Sequence, residues 1–494
     1  MLEQPLPSRC ILGSPSTLET SKSGTPPWPQ KNKDRRTWQG WVMRVLVIGG
    51  DATGMSSASQ LKRRLGEAVD ITVLNDQRWT SYSACGIPYW VAGEVAGGPE
   101  SLVARSPEKH RDNGLDVRVG VRATVINPHQ KQVSAVEIAD SATSMSFDYD
   151  HLIVATGAGP LQPPIPGIDL PGVLRTHTLD DGLIAIDALE QMPRTAVVVG
   201  AGFIGVEMAE ACVQRGLETV VLDLAPEPMA VIDTDMGALI TESMKRHGVT
   251  FKGQEPATEF IAGPDGRVSG VRTANGTYPA DIVFLGLGVR PRTELAVAAG
   301  LPVGRSGGIQ IDDHCRVQGY ENIWAGGDCV ENHHRVSGEP AYIPLGTHAN
   351  KHGRVIGLNL SGEDAVFPGI VGTAITKFMS TEIARVGLTE QQAERLDRNV
   401  ATATISTTTK AGYFSDSESM HVKIVVDRDD GRVLGGQIVG GVSAGKRIDS
   451  AATAVWNSMT ASEVLDLDLS YAPPFSGVWD PFQIAARRVL GKLD

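Results

Sequence analysis

The chain has 494 residues, of which 41% are hydrophobic, 21% charged and 55 are glycines. That is enough for about three domains, with the profile of a turn-rich α/β protein and not of a disordered one. The formal net charge is −12 and the basic residues are scattered, which argues against binding to nucleic acid or an anionic membrane. No apolar run approaches the roughly 18 residues of a membrane span and the N-terminus lacks an apolar signal core, so a cytoplasmic protein is expected.

Residues 1–42 are rich in Pro, Ser, Thr, Lys and Gln with little apolar periodicity. They are expected to form a disordered N-terminal extension, and Met43 is an alternative start. From Arg44 the chain reads RVLVIGGDATGMSSASQLKRR, an aliphatic strand, a glycine turn and a helix. About 150 residues later TAVVVGAGFIGVEMAEACVQRG repeats the pattern, so an internal duplication and two bound nucleotides are expected.

In the second loop Gly200, Gly202 and Gly205 fill all three fingerprint positions. They serve the tight turn, the approach of a pyrophosphate and the packing of helix on strand. Asp223 follows at the end of the next strand, where a carboxylate accepts hydrogen bonds from ribose hydroxyls. No arginine follows it, which favours NADH over NADPH. The first loop carries Gly49, Gly50 and Gly54, with Asp51 at the middle position and Ala52 next to it. After its second strand, Asn75 stands where an acid is usual, and it too is expected to hydrogen-bond a ribose.

Between the two units, FDYDHLIVATGAGP ends a strand at Thr156 and Gly157, and ENIWAGGDC later ends another at Gly327 and Asp328. Both read as strand ends facing a ligand. From about residue 362 the pattern changes to amphipathic strands and helices without a glycine fingerprint, as expected of a separate α+β domain.

The five cysteines, Cys10, Cys85, Cys212, Cys315 and Cys329, show neither a disulfide framework nor zinc-site spacing. Cys85, in TSYSACGIPYW, falls where a helix N-terminus would face the cofactor crevice and favour a thiolate. Taken alone, it reads rather as a small buried hydrophobe, as free cysteines usually are. Cys329 is assigned no role. His348 and His352 are four apart, but with no third ligand a packing or cofactor-side role is expected, and no metal.

The glycine loop, SYSACGIPY, ATGAG, GAGFIG, GGD and YAPPF occur in this order from residue 44 to 494. In this the chain resembles the pyridine nucleotide-disulfide oxidoreductases, within them the single-cysteine branch, and there most closely the coenzyme A-disulfide reductases. A CxxxxC dithiol is absent, since Thr80 and Trp90 flank Cys85 at that spacing. Ala52 replaces the loop histidine of the branch's oxidases and peroxidases.

The resemblance implies a glutathione-reductase-like α/β fold: two Rossmann-like dinucleotide-binding domains and a C-terminal α+β dimerisation domain. The expected boundaries are 43–157 and 282–361 for FAD, 158–281 for NAD(P)H and 362–494 for dimerisation in a homodimer. The cofactors implied are FAD and NADH, with NADPH as the alternative, and Asp328 is implied to bind the FAD ribityl chain. The substrate implied is coenzyme A disulfide, contacted by Ser56, Gln60, Arg63, Ser81 and Asn350. Cys85 would attack it, and Tyr471 and Tyr413 from the partner subunit would donate protons. Ala84, where an asparagine is common, weakens the coenzyme A assignment. The alternatives are an NADH oxidase or peroxidase, a polysulfide or persulfide reductase and, outside enzymes, a redox-sensing flavoprotein.

Overall fold

The computed structural model describes residues 42–493, so Cys10 and the expected extension, apart from Val42, lie outside the described residues. Among the described residues no helix is long and apolar enough to cross a membrane. The fold is mixed α/β, built around three five-stranded sheets.

The first sheet is wholly parallel, in the order Ile323–Ala325, His151–Val154, Met43–Ile48, Val69–Asn75, Asp116–Val119. Its central strand is aliphatic because both of its faces are covered. Successive side chains point to opposite faces. Val45 and Val47 pack with Met55, Ala58 and Leu61 of helix Ala52–Leu65. Leu46 and Ile48 join the core shared with the antiparallel strands Val121–Asn127, Gln132–Glu137 and Ser144–Asp148.

The second sheet repeats the plan, with Thr250–Lys252, Glu218–Leu222, Thr195–Val199, Ile282–Leu285 and Val173–Leu174 all parallel. Val198 packs in the core shared with helix Phe203–Gln214. Val197 and Val199 face a second antiparallel meander, Glu259–Ala262, Val268–Arg272 and Thr277–Pro279.

One expected boundary needs correction. The strand Ile282–Leu285, assigned by the boundary at 282 to the first unit, pairs with Thr195–Val199 in the second sheet. All four of its residues are buried, as a central parallel strand requires. The chain returns only afterwards, through Val289–Pro291 paired antiparallel with Ala158–Pro160.

The third sheet is antiparallel, in the order Ala374–Phe378, Thr381–Gly387, Val433–Gly440, Ser419–Asp427, Val400–Thr408. Helices Ile448–Trp456 and Pro481–Leu490 share its core through Ala451, Ala454, Phe482 and Ala486. Asp480 and Gln483 form a capping box that starts the last helix at Pro481.

Candidate active site

The two glycine loops are near-copies. Gly49 and Gly200 hold φ of 111° and 98°, a region open to glycine and strained for other residues. A Cβ on Gly54 would overlap the Gly49 carbonyl, and one on Gly205 the Gly200 carbonyl, so each helix can start against its own strand only with glycine there. A Cβ at Gly202 would meet nothing, which leaves the helix N-terminus open for an anion. In the first loop Asp51 holds that middle place as the N-cap residue of its helix.

A cleft of about 530 Å³ opens over the first loop, walled by Gly49, Gly50, Asn75, Thr156, Gly157 and Asp328 among others. Burial pushes the Asp328 carboxyl up to about 6. It does the same to Asp51, where the nearby Asp328 charge adds to the effect and a hydrogen bond from the Tyr82 backbone opposes it. The turn bearing Asp328 is fixed from behind, because Gly327 N donates to Nδ1 of fully buried His352 at 3.0 Å. The His352 ring packs edge-on to Phe367 with centroids 4.2 Å apart. His348 Nδ1 lies 3.1 Å from the Ile343 carbonyl.

Asn75 stands at the cleft wall with its amide held by the backbone. Its Oδ1 accepts from Gly50 N at 3.1 Å, and its Nδ2 donates to the carbonyls of Gln77 at 2.9 Å and Trp79 at 2.8 Å. The reason is local: the chain folds back after the strand, and two carbonyls there need a donor that a carboxylate lacks. Asp223 accepts from Ala201 N and, at 2.7 Å, from Ala225 N.

A second pocket of about 530 Å³ shares Asp51 and Tyr82 with the cleft. It brings together all five expected substrate-contacting residues, Ser56, Gln60, Arg63, Ser81 and Asn350, with Ala52. Several contacts shape it. Ser56 Oγ donates to Asn350 Oδ1 at 2.9 Å, and Arg63 Nη2 to Gln60 Oε1 at 2.8 Å. Helix Gly346–Leu360 carries Asn350 close to Ser56 because Gly353 and Gly357 face Ser56 and Gln60, where a Cβ would collide.

Sequence reasoning missed Arg105, Arg354 and His110, which line the same pocket from distant segments. His110 Nε2 lies 3.0 Å from Ser81 Oγ, and burial, with Arg105 nearby, pushes its pKa down to about 4. An adjoining pocket of about 490 Å³ shares Arg63 and Arg105 and adds Lys62 and Lys109, extending a cationic floor.

Cys85 sits in the turn Ala84–Gly86, directly after Ser81, Tyr82 and Ser83 of the pocket wall, and is exposed in the single subunit. Cys212, Cys315 and Cys329 are buried. The expected local stabilisation of a thiolate is not met. Cys85 precedes only a six-residue helix, Ile87–Ala92, and its thiol is held above the ordinary value, first by desolvation and then by the Glu207 and Asp328 carboxylates.

Tyr413 and Tyr471 line neither pocket of their own subunit. They lie on neighbouring segments joined by Ala411 N donating to the Pro473 carbonyl at 3.0 Å, and are 76% and 49% exposed.

Two parallel sheets with dinucleotide-type glycine loops, an exposed cysteine near the first loop and a third, antiparallel sheet are the plan of a pyridine-nucleotide redox enzyme. The comparisons with known proteins agree. Residues 43–353 match the family described as pyridine nucleotide-disulphide oxidoreductase, and residues 373–481 its dimerisation domain. The chain belongs to that family, and as a member it is a flavoprotein oxidoreductase that takes FAD and NAD(P)H.

It is 36% identical over 447 residues to the NAD(P)H sulfur oxidoreductase (CoA-dependent) of Pyrococcus furiosus, covering 90% of this chain and 98% of that protein. It is 27% identical over 446 residues to the coenzyme A disulfide reductase of Staphylococcus aureus, covering 88% and 96%. The structure of an NAD-dependent persulfide reductase from A. fulgidus superposes with a TM-score of 0.87 at 35% identity, covering 91% of this chain and 83% of that one.

The first cleft fits FAD on its own geometry. The start of helix Ala52–Leu65 opens at its wall through Gly50 and Asp51, where a pyrophosphate can approach, and the cleft runs on past Asp328 and Tyr82 to Ala84, next to Cys85.

Proposed function

We propose that the protein uses NAD(P)H to reduce a small sulfur–sulfur bond carried by coenzyme A, as a disulfide or persulfide, at the single thiol of Cys85. The observation that carries this reading is the pocket beside Cys85, with its cationic floor of Arg63, Arg105, Lys62 and Lys109. Such a floor suits a thiol attached to several phosphates. The relatives named for coenzyme A-dependent sulfur reduction and for coenzyme A disulfide reduction support the same substrate class.

FAD, when bound, supplies the two-electron link between nicotinamide and thiol. The first unit would hold it, with Asp328 available to the ribityl chain, and the second would hold the nicotinamide nucleotide at Gly200, Gly202, Gly205 and Asp223. Cys85 as thiolate attacks one sulfur of the substrate, the substrate S–S bond breaks, and one thiol leaves while the other stays as a mixed disulfide. Two electrons and a proton then free the second thiol, so one NAD(P)H and one proton yield two thiols from a disulfide. In the homodimer implied by the third domain, Tyr413 and Tyr471 of the partner subunit would protonate the leaving thiolate. Their exposure in the single subunit suits that placement.

The test is anaerobic NADH consumption on addition of coenzyme A disulfide or coenzyme A persulfide, with oxygen and peroxide in separate assays. Turnover on the coenzyme A substrates, lost at least about 10³-fold in Cys85→Ser, is expected. Undiminished turnover in Cys85→Ser would overturn the reading.

A further inference from the structure

Cys85 stands one turn ahead of Tyr89, on the helix that begins at Ile87. The Tyr89 hydroxyl donates to Glu207 Oε1 at 3.4 Å, and Thr376 Oγ1 donates to the same oxygen at 2.7 Å. Tyr89 comes from the first unit, Glu207 from helix Phe203–Gln214 of the second, and Thr376 from the edge strand of the third sheet, so three units meet at one carboxyl oxygen.

The charged groups around Glu207 are few. Glu210 lies one turn along its own helix, Lys377 follows Thr376, and Glu94 follows the Tyr89 helix. Lys377 is committed to the other two: it pairs with Glu210 and, at 2.8 Å, with Glu94, and it stands 5.2 Å from the centroid of the Tyr89 ring. Glu210 also accepts from Met379 N at 2.9 Å. Glu207 therefore receives two neutral donors, and among the described residues it makes no ion pair. Desolvation is the main reason its carboxyl is raised to about 7; Glu210 adds to the rise, and Thr376, Tyr89 and Lys377 oppose it. Of the charges acting on Cys85, Glu207 comes first, ahead of Asp328 and Asp51.

We propose that Glu207, held through Tyr89 one turn beyond Cys85, is a positioning residue whose charge tunes the acidity of Cys85 across the junction of the three units. With Glu207 ionised, its charge opposes a second negative charge on Cys85 and the thiol form persists. With Glu207 protonated, that opposition is gone and the thiolate forms more readily. Linkage makes the effect reciprocal, since a thiolate on Cys85 favours the neutral carboxyl. Thr376 holds the carboxylate form through its hydroxyl, and so ties the third unit to the reactivity of the cysteine. This deepens the reading of Cys85 as the attacking thiol, and its test reads that thiol directly.

The experiment is the pH profile of iodoacetamide alkylation at Cys85, measured by peptide mass spectrometry on the reduced, desalted, FAD-loaded protein. The wild type is compared with Glu207→Gln, Thr376→Val and Thr376→Ser. Glu207→Gln is expected to move the midpoint to lower pH and to speed alkylation at pH 7 by about threefold to tenfold, the effect of removing one nearby like charge. Thr376→Val should shift it the same way by less, because the carboxylate loses a donor, and Thr376→Ser should keep the wild-type profile. An unchanged midpoint in Glu207→Gln with normal FAD content overturns the proposal. If that variant sheds FAD, an unchanged midpoint in Thr376→Val overturns it instead. A shifted midpoint together with an active Cys85→Ser would leave this coupling standing while removing the proposed function.

Discussion

Asn75 and Asp223 make the same contact in the two halves of the duplication. Each offers a side-chain oxygen to the N–H that follows the first loop glycine, Gly50 in one half and Ala201 in the other. They differ in what else they hold, since Asn75 donates to two carbonyls whereas Asp223 accepts a second N–H, from Ala225. The nearly isosteric change from acid to amide thus follows from the path of the chain beyond the strand.

Asn75→Asp should therefore harm the fold although it restores the usual residue type. The Gln77 and Trp79 carbonyls would then face a buried carboxylate with no donor between them. A loss of about 1–3 kcal/mol is expected, seen as a lower thermal midpoint and incomplete FAD content. A variant as stable and as yellow as the wild type would refute it.

Asp51→Asn should stabilise the apoprotein in a pH-dependent way. The folded value of Asp51, about 6, lies above the unfolded one near 3.9. Its contribution is thus fully present below about pH 4 and is lost as pH rises through about 6. Replacing the acid should raise the melting temperature at pH 8, by on the order of 1–3 kcal/mol, and leave it nearly unchanged at pH 4. Equal gains at both pH values would mean that burial of the charge is not the cause.

Gly353→Ala tests the close approach of two helices. The added Cβ would press on Ser56 and on the Thr53 carbonyl, and a backbone atom cannot give way as a flexible side chain can. Overpacking of this kind typically costs about 1–3 kcal/mol. Urea unfolding should show the loss, and the KM for the sulfur substrate should rise as Asn350 is pushed from Ser56, with the KM for NADH little changed.

Arg63→Ala asks whether the cationic floor reads phosphate. KM for coenzyme A disulfide is expected to rise about tenfold, the worth of one charge-assisted contact. Reduction of a small disulfide without phosphates should be unaffected. Parallel loss on both would make Arg63 a packing residue, held by Gln60.

The two glycine loops and the unit plan were legible because their signals are local: a turn that needs positive φ at Gly49 and Gly200, and a helix start that needs no side chain at Gly54 and Gly205. The five residues expected to contact substrate were named through the resemblance, and the structure gathers them in one pocket. What stayed hidden is held by contacts between distant segments. His352 meets Gly327 across 25 residues, and Thr376 meets Glu207 across 169, with no periodicity to mark either. The acidity of Cys85 was misjudged for a related reason: the approaching helix could be read from sequence, but the desolvation of the thiol and the carboxylate brought in from the second unit could not. Ile282–Leu285 was misassigned because an aliphatic run fits either parallel sheet equally well.

The strand Ile323–Ala325 closes the first sheet against His151–Val154, and at that edge Asn322 donates to the Asp150 carbonyl from 172 residues away. Asp328 of the cleft, and behind it the helix bearing His352, are synthesised after the whole second module. A nascent chain therefore reaches the end of that module with an open sheet edge and half of a cofactor cradle. Such late closure, paid for in loop entropy before any contact rewards it, makes this step slow and prone to aggregation. Flavin present during synthesis should then raise the yield of folded protein.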